Sequence, residues 1–79
     1  MTLDRHIPAL QIRYGLTPAE SRLALRLTTG EALRAAASAL DVNYETARTM
    51  LKRVFEKTGT HRQTELVIVI LNTAVFATN

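Results

Sequence analysis

Basic side chains are concentrated in one short stretch of this chain. Residues 44–62 hold five Lys or Arg residues and two Glu residues, a formal charge of +3 that equals the charge of the whole chain. Residues 1–43 have a net charge of +1 and residues 63–79 a net charge of −1, so the charges of these two segments cancel. Such a basic stretch on a small domain indicates a polyanionic partner, and a solvated helix face is the simpler alternative. The five basic residues are Arg48, Lys52, Arg53, Lys57 and Arg62.

The residue types that catalysis or metal binding would need are sparse. The chain has no cysteine, which excludes disulfides, thiolate metal sites and a cysteine nucleophile. His6 and His61 lie too far apart for a metal-ligand motif, and we interpret both as solvated turn residues. The carboxylates of Glu20, Glu31 and Asp41 have no paired base, nucleophile or phosphate-binding loop nearby in the sequence. We therefore expect no enzyme activity, no cofactor and no metal site.

Helix-capping patterns divide the chain into helical segments. Thr17 and Glu20 form a capping box around Pro18, which suits the first turn of a helix, and Gly30 ends the segment. Asn43 is a good N-cap for a later helix that Gly59 would stop. With 47% hydrophobic but only 5% aromatic residues, the composition favours close-packed helices over a β-sandwich. The predicted fold is all-α, a four-helix domain with helices at about 18–28, 32–40, 44–57 and 61–75.

The fourth predicted helix contains the most apolar run of the chain, residues 66–71. Its β-branched residues favour a strand locally, but no second strand is available to pair with it, so we expect a helix. Thr60 and Gln63 would form the capping box at its start. A helix that is apolar all round needs a cover on its outer side, which predicts a homodimer. The expected interface is Val67, Ile70, Leu71 and Ala74, or a neighbouring stripe of the same helix.

The N-terminal part of the chain is expected to precede the domain proper. Residues 1–15 are predicted to be a lead-in segment or linker, with a short helix at about 8–14 that Pro8 could begin. The domain would then occupy residues 16–79. No signal peptide is visible, and residues 66–71 are too few to span a bilayer, so the expected location is the cytoplasm, with no membrane contact.

The second and third predicted helices, joined by a short turn, match a helix-turn-helix. Ala37 would allow the two helices to cross closely, and Asp41 stands where a left-handed residue is wanted. The second helix of such a unit enters the major groove of DNA with its N-terminal half leading. Its side chains there can contact phosphates or base edges. The candidate DNA-binding residues are Tyr44, Thr46, Arg48, Thr49, Lys52 and Arg53.

Together these residues resemble the LuxR/GerE-type DNA-binding domain. The matching motifs are Leu16-Thr17-Pro18-x-Glu20, Leu27-x-x-Gly30, Ala36-Ala37-x-x-Leu40-x-Val42, Thr46-x-Arg48, Val54-x-x-Lys57-x-Gly59 and Glu65-Leu66. The resemblance implies the output domain of a bacterial transcription regulator, whose third helix binds the major groove of double-stranded DNA and whose fourth helix supports dimerisation. It adds Lys57 as a contact to the DNA backbone. It also implies RNA polymerase or a sensor domain outside this chain as further partners. Both a complete regulator and a C-terminal piece of a longer one are compatible with the resemblance.

The chain departs from the family pattern at several positions. Ala32 and Asn43 replace the usual serine caps, Asp41 replaces a turn glycine, Met50 replaces a common histidine, and Gln63 replaces an arginine. Two other classes of function stay open. One is a helical protein–protein interaction module that uses the same fold without binding DNA. The other is the related promoter-binding region of a sigma factor.

Overall fold

A bundle of short helices forms the whole of the described chain. The computed structural model describes residues 3–77, and the side chains of residues 4–73. After a 3₁₀ turn at Leu3–His6, this part contains five α-helices and no strand. The helices are α1 at Ile7–Tyr14, α2 at Pro18–Thr28, α3 at Leu33–Ala39, α4 at Tyr44–Thr58 and α5 at Gln63–Ala77. The predicted all-α class is confirmed, and the four predicted helices correspond to α2–α5 with shifts of at most two residues at their ends.

The lead-in segment forms an additional helix that belongs to the core. Ile7 and Leu10 of α1 are buried, and the helix packs on α2 and α5. The Tyr14 hydroxyl also lies 3.0 Å from the Thr73 hydroxyl of α5, which joins the two helices by a hydrogen bond. The short helix that Pro8 was expected to begin is present one residue earlier, because Pro8 occupies its first turn.

The capping interactions predicted for α2 and α4 are present in the structure. Thr17 Oγ1 accepts a hydrogen bond from the Glu20 amide at 3.1 Å, and Glu20 Oε1 accepts one from the Thr17 amide at 2.9 Å. Asn43 Oδ1 accepts from the Thr46 amide at 2.8 Å. Gly59 ends α4 at φ 69°, in the left-handed region that glycine adopts without strain. These caps fix the start of α2 and both ends of α4.

The start of α5 differs from the prediction. The Thr60 hydroxyl is buried and lies 2.8 Å from the Thr58 hydroxyl, so it is not the cap, and Gln63 is the first residue of the helix. Glu65 Oε1 instead accepts from the amides of His61 and Arg62 at 2.8 and 3.0 Å. These two hydrogen bonds lower the pKa of Glu65. The expected capping box of Thr60 and Gln63 was therefore wrong. The carboxylate of Glu65, two residues after Gln63, is a stronger acceptor for the free amides at the start of the helix.

Small residues let α3 and α4 approach each other. Ala36 and Ala37 of α3 and Ala47 of α4 are all buried. In the turn between the helices, Asp41 has φ 59°, and the Val42 amide donates to the Ala37 carbonyl at 3.0 Å. The predicted pair of helices joined by a short turn is thus present, with Asp41 in the left-handed conformation that glycine adopts without strain. This unit holds α4 at the surface of the bundle.

Candidate nucleic-acid interface

The core contacts of α4 decide which of its sides faces outward. Ala47 and Val54 are fully buried and seven residues apart, so they anchor the same side of the helix to the bundle. The side opposite them consists of polar side chains. We call this side the basic face of α4 and define it by the exposed residues Thr46, Arg48, Thr49, Lys52 and Arg53.

Two cations of the basic face have no acidic partner among the described side chains, and the third is held in an exposed ion pair. Lys52 and Arg53 have no carboxylate within 4.0 Å among the described side chains. Arg48 Nη1 lies 3.3 Å from Glu45 Oε1, but both side chains are well exposed. An exposed pair of this kind adds little stability, so Arg48 can exchange Glu45 for another anion at small cost. All three predicted basic residues therefore present usable charge on one helix.

Acidic residues share the outer side of α4. Glu45 and Glu56 are exposed and lie on the same helix as the basic face. They reduce the net positive charge that a distant polyanion would sense. Positive charge on α4 is therefore local, at the ends of particular side chains, and an anion has to approach closely to benefit from it.

Tyr44 lies at the first turn of α4 and is half-buried. The guanidinium carbon of Arg34, from α3, sits 4.2 Å from the centre of its ring, which is a close cation–π contact. One face of the ring is thus already occupied. Arg34 was not predicted as a site residue from the sequence, because its contact with Tyr44 crosses the turn between two helices and residue spacing does not indicate it.

Lys57 does not join the basic face. Its Nζ donates to Glu20 Oε1 at 2.7 Å and to the Gly15 carbonyl at 3.2 Å. The Glu20 side chain is almost fully buried, whereas that of Lys57 is about one-third exposed. This contact ties α4 to the start of α2. The structure therefore gives Lys57 an intramolecular partner, and its contact with the DNA backbone stays a prediction.

The Glu20–Lys57 contact sets the ionisation of Glu20. Burial of Glu20 raises its pKa, but the hydrogen bonds from Lys57 and Thr17 and the charge of Lys57 outweigh burial and hold the pKa below its ordinary value of 4.5. A carboxyl with a lowered folded-state pKa stabilises the fold above its unfolded-state pKa. That stabilisation is lost as the pH falls through the folded-state value.

Glu20→Gln is expected to lower the free energy of unfolding by about 1–2 kcal/mol at neutral pH, since it removes the negative charge that accepts from Lys57, a lysine partly screened by solvent. The deficit should shrink as the pH falls from 4.5, the ordinary pKa of a Glu, through the lower folded-state pKa, below which Glu20 of the wild type is protonated. Urea unfolding at several pH values measures it. Glu45→Gln, which alters an exposed ion pair of α4, is the matched control and should change stability by less than about 0.5 kcal/mol. Equal effects of the two variants would contradict the role assigned to Glu20.

The residues predicted for a dimer interface on α5 are divided by the structure. Ile70 is fully buried in the core and Val67 is half-buried, so Ile70 cannot face a second copy. Leu71 is 47% exposed, as an interface residue would be, and the side chain of Ala74 lies outside the described residues. Ile68, which was not selected, is 60% exposed.

Helical geometry explains this correction. Leu66 and Ile70 are four residues apart and face the core together, which turns Ile68 and Leu71 outward. The exposed apolar stripe of α5 is therefore Ile68 and Leu71, a neighbour of the stripe named from the sequence. Knowing that Leu66 faces the core would have been sufficient to find it.

The described residues contain neither a candidate metal-ion site nor a candidate membrane-spanning helix. Among the described residues, no three His, Cys, Asp or Glu side chains gather closely enough to hold a metal ion. Within residues 3–77, no helix combines the length and the apolar character that crossing a bilayer would require.

Comparisons with known proteins return no relative. No protein-family model, no curated protein and no solved structure matches the chain. The resemblance to the LuxR/GerE-type domain therefore depends on the sequence motifs alone.

Proposed function

We propose that this chain is a sequence-specific double-stranded DNA-binding domain of a cytoplasmic bacterial transcription regulator. The observation that supports the proposal best is the combination of a helix-turn-helix with free cations on its second helix. Lys52 and Arg53 lie exposed on α4, without a carboxylate partner among the described side chains, and α4 is the helix that such a unit inserts into the major groove. RNA polymerase or a sensor domain outside this chain would be further partners.

In this proposal the basic and the hydroxyl side chains of the basic face of α4 make different contacts with the DNA. Arg48, Lys52 and Arg53 neutralise phosphates or bind guanine edges, for which the arginine fork is well suited. The hydroxyl groups of Thr46 and Thr49 donate to phosphate oxygens and fix the register of the helix on the duplex. Buried Ala47 and Val54 keep these side chains on one rigid helix, so little order has to be created on binding.

The proposed regulator acts as a homodimer that pairs through the exposed stripe of α5. Ile68 and Leu71 expose large apolar side chains on the outer side of this helix. Two copies joined there would present two α4 helices to two half-sites of an operator. Sedimentation equilibrium that finds only monomers, both free and with duplex DNA present, would exclude this part of the proposal.

The same apolar surface favours a second candidate function. Ile12 on α1 is 87% exposed, and with Ile68 and Leu71 it is one of three large hydrophobic side chains that are exposed among the described residues. A domain that bound only another protein would contact it through these residues, and the basic face of α4 would not take part in binding. The two functions place the contact surface on different helices, so mapping that surface distinguishes them.

Amide chemical shifts of ¹⁵N-labelled protein, recorded during titration with a duplex, locate the contact surface. We expect the largest shift changes between Thr46 and Arg53, because the backbone there would lie against the DNA. The amides of Ile12 and Ile68 should change little in a one-to-one mixture with a single half-site. Changes centred on α5, or none at low salt, would contradict DNA binding through α4.

A further inference from the structure

We propose that Arg34 is a phosphate-binding residue at the edge of the basic face of α4, held in its binding position by the ring of Tyr44. The ligand is a backbone phosphate of double-stranded DNA. This inference rests on the proposed function, and it adds a residue of α3 to an interface otherwise built from α4 alone. The observation behind it is the juxtaposition of an exposed guanidinium and a half-buried aromatic ring across the turn.

Within the described part of the chain, Arg34 has an aromatic partner but no acidic one. No carboxylate oxygen among the described residues lies within 4.0 Å of its guanidinium, although Asp41 lines the same shallow hollow. Two arginines of α2 contrast with it, since Arg22 pairs with Asp4 at 3.7 Å and Arg26 pairs with Glu31 at 3.2 Å. The charge of Arg34 is therefore not neutralised within the described part of the protein.

The contact with Tyr44 leaves the hydrogen-bonding groups of Arg34 available. The guanidinium carbon lies 4.2 Å from the ring centre, and the N–H donors of an arginine lie in the plane of its guanidinium group. A phosphate accepts two parallel hydrogen bonds from the edge of such a plane. Because the ring already restricts the long side chain, less rotamer entropy is lost when the phosphate binds.

The position of Arg34 in the fold suits a backbone contact. Arg34 lies in the first turn of α3, and its side chain reaches the first turn of α4. In a helix-turn-helix the first helix crosses the DNA backbone while the second enters the groove. A cation that bridges from α3 to the N-terminal end of α4 would then meet the phosphate strand that borders the groove.

Arg13 provides a matched control within the same chain. Its guanidinium carbon lies 5.9 Å from the centre of the Tyr14 ring, so it is also an exposed arginine beside a tyrosine. It belongs to α1, not to the helix-turn-helix. Arg34→Gln and Arg13→Gln therefore make the same change of charge and remove the same type of contact at two different places.

The test is fluorescence anisotropy with a labelled duplex over a salt series. Arg34→Gln should reduce the slope of log affinity against log salt by about 0.9 and weaken binding about eightfold near 0.1 M salt, as the loss of one phosphate contact predicts. Arg13→Gln should leave both quantities close to wild type. Tyr44→Phe keeps the ring, so Arg34→Gln should have its full effect on the salt slope in that background. Tyr44→Leu removes the ring and should reduce the further effect of Arg34→Gln.

The outcomes distinguish a failure of the proposed role of Arg34 from a failure of the proposed DNA binding. If the wild type binds with a steep salt slope and Arg34→Gln matches Arg13→Gln, the inference is overturned and DNA binding stands. If the folded wild type fails to bind any duplex at low salt, both are overturned. An Arg34→Gln effect that persists unchanged in the Tyr44→Leu background refutes the positioning role of the ring.

Discussion

Leu66→Ala is expected to lower the free energy of unfolding by about 2–5 kcal/mol, whereas Ile68→Ala should change it by less than about 1 kcal/mol. Leu66 is fully buried, and its removal leaves a cavity between α5 and the rest of the core. Ile68, two residues later on the same helix, is 60% exposed and leaves no cavity. Urea unfolding followed by circular dichroism measures both effects.

This pair of variants also tests the conformation of the apolar run. In a strand, residues 66 and 68 would share a face and both substitutions would be costly. In a helix they lie on opposite sides, and only the substitution at residue 66 is costly. Equal losses at low protein concentration would therefore contradict the helical register of α5. A cost at Ile68 that grows with protein concentration would instead indicate that a second copy covers the exposed stripe.

Much of the fold follows from short-range chemistry that the sequence displays. Thr17, Glu20 and Asn43 lie at fixed offsets from the amides that they cap, so spacing alone was sufficient to predict their hydrogen bonds. Gly59 likewise marks a helix end because of its backbone freedom. The start of α5 was missed, since Thr60 and Glu65 offer competing acceptors and only packing buries the Thr60 hydroxyl.

The candidate site was predictable to a smaller extent. The basic face of α4 followed from helical periodicity once Ala47 and Val54 were assigned to the core. The partner of Lys57 was not predictable in this way, because Glu20 lies 37 positions away and the contact exists only when α2 packs against α4. The same limit applies to the ring of Tyr44 beneath Arg34 and to the burial of Ile70. Spacing determines which side chains share a helix face, but tertiary packing determines what that face meets.

The second large effect concerns the basic face itself. Replacing Arg48, Lys52 and Arg53 together by Ala is expected to weaken duplex binding several hundredfold near 0.1 M salt, as the loss of about three phosphate contacts predicts. All three side chains are exposed, and Ala is a strong helix former, so α4 should stay folded. An unchanged helical circular dichroism signal would confirm that the loss reflects binding.

A triple variant elsewhere on the surface controls for net charge. Arg5, Arg13 and Arg22 are exposed and lie outside the helix-turn-helix, in the 3₁₀ turn, α1 and α2. Replacing these three by Ala removes the same charge. Because salt near 0.1 M screens charges beyond about 10 Å, residues away from the contact surface should matter little.

The central claim is that α4 binds DNA, and the salt slope of duplex binding tests it most directly. We would measure log affinity against log salt for the wild type and for the two triple variants. DNA binding through α4 predicts a steep slope for the wild type and the control. For Arg48/Lys52/Arg53→Ala it predicts a slope shallower by up to about 2.7, which is about 0.9 for each of the three side chains that contacts a phosphate. Equal slopes for the two triple variants, or no binding by the folded wild type at low salt, would contradict it.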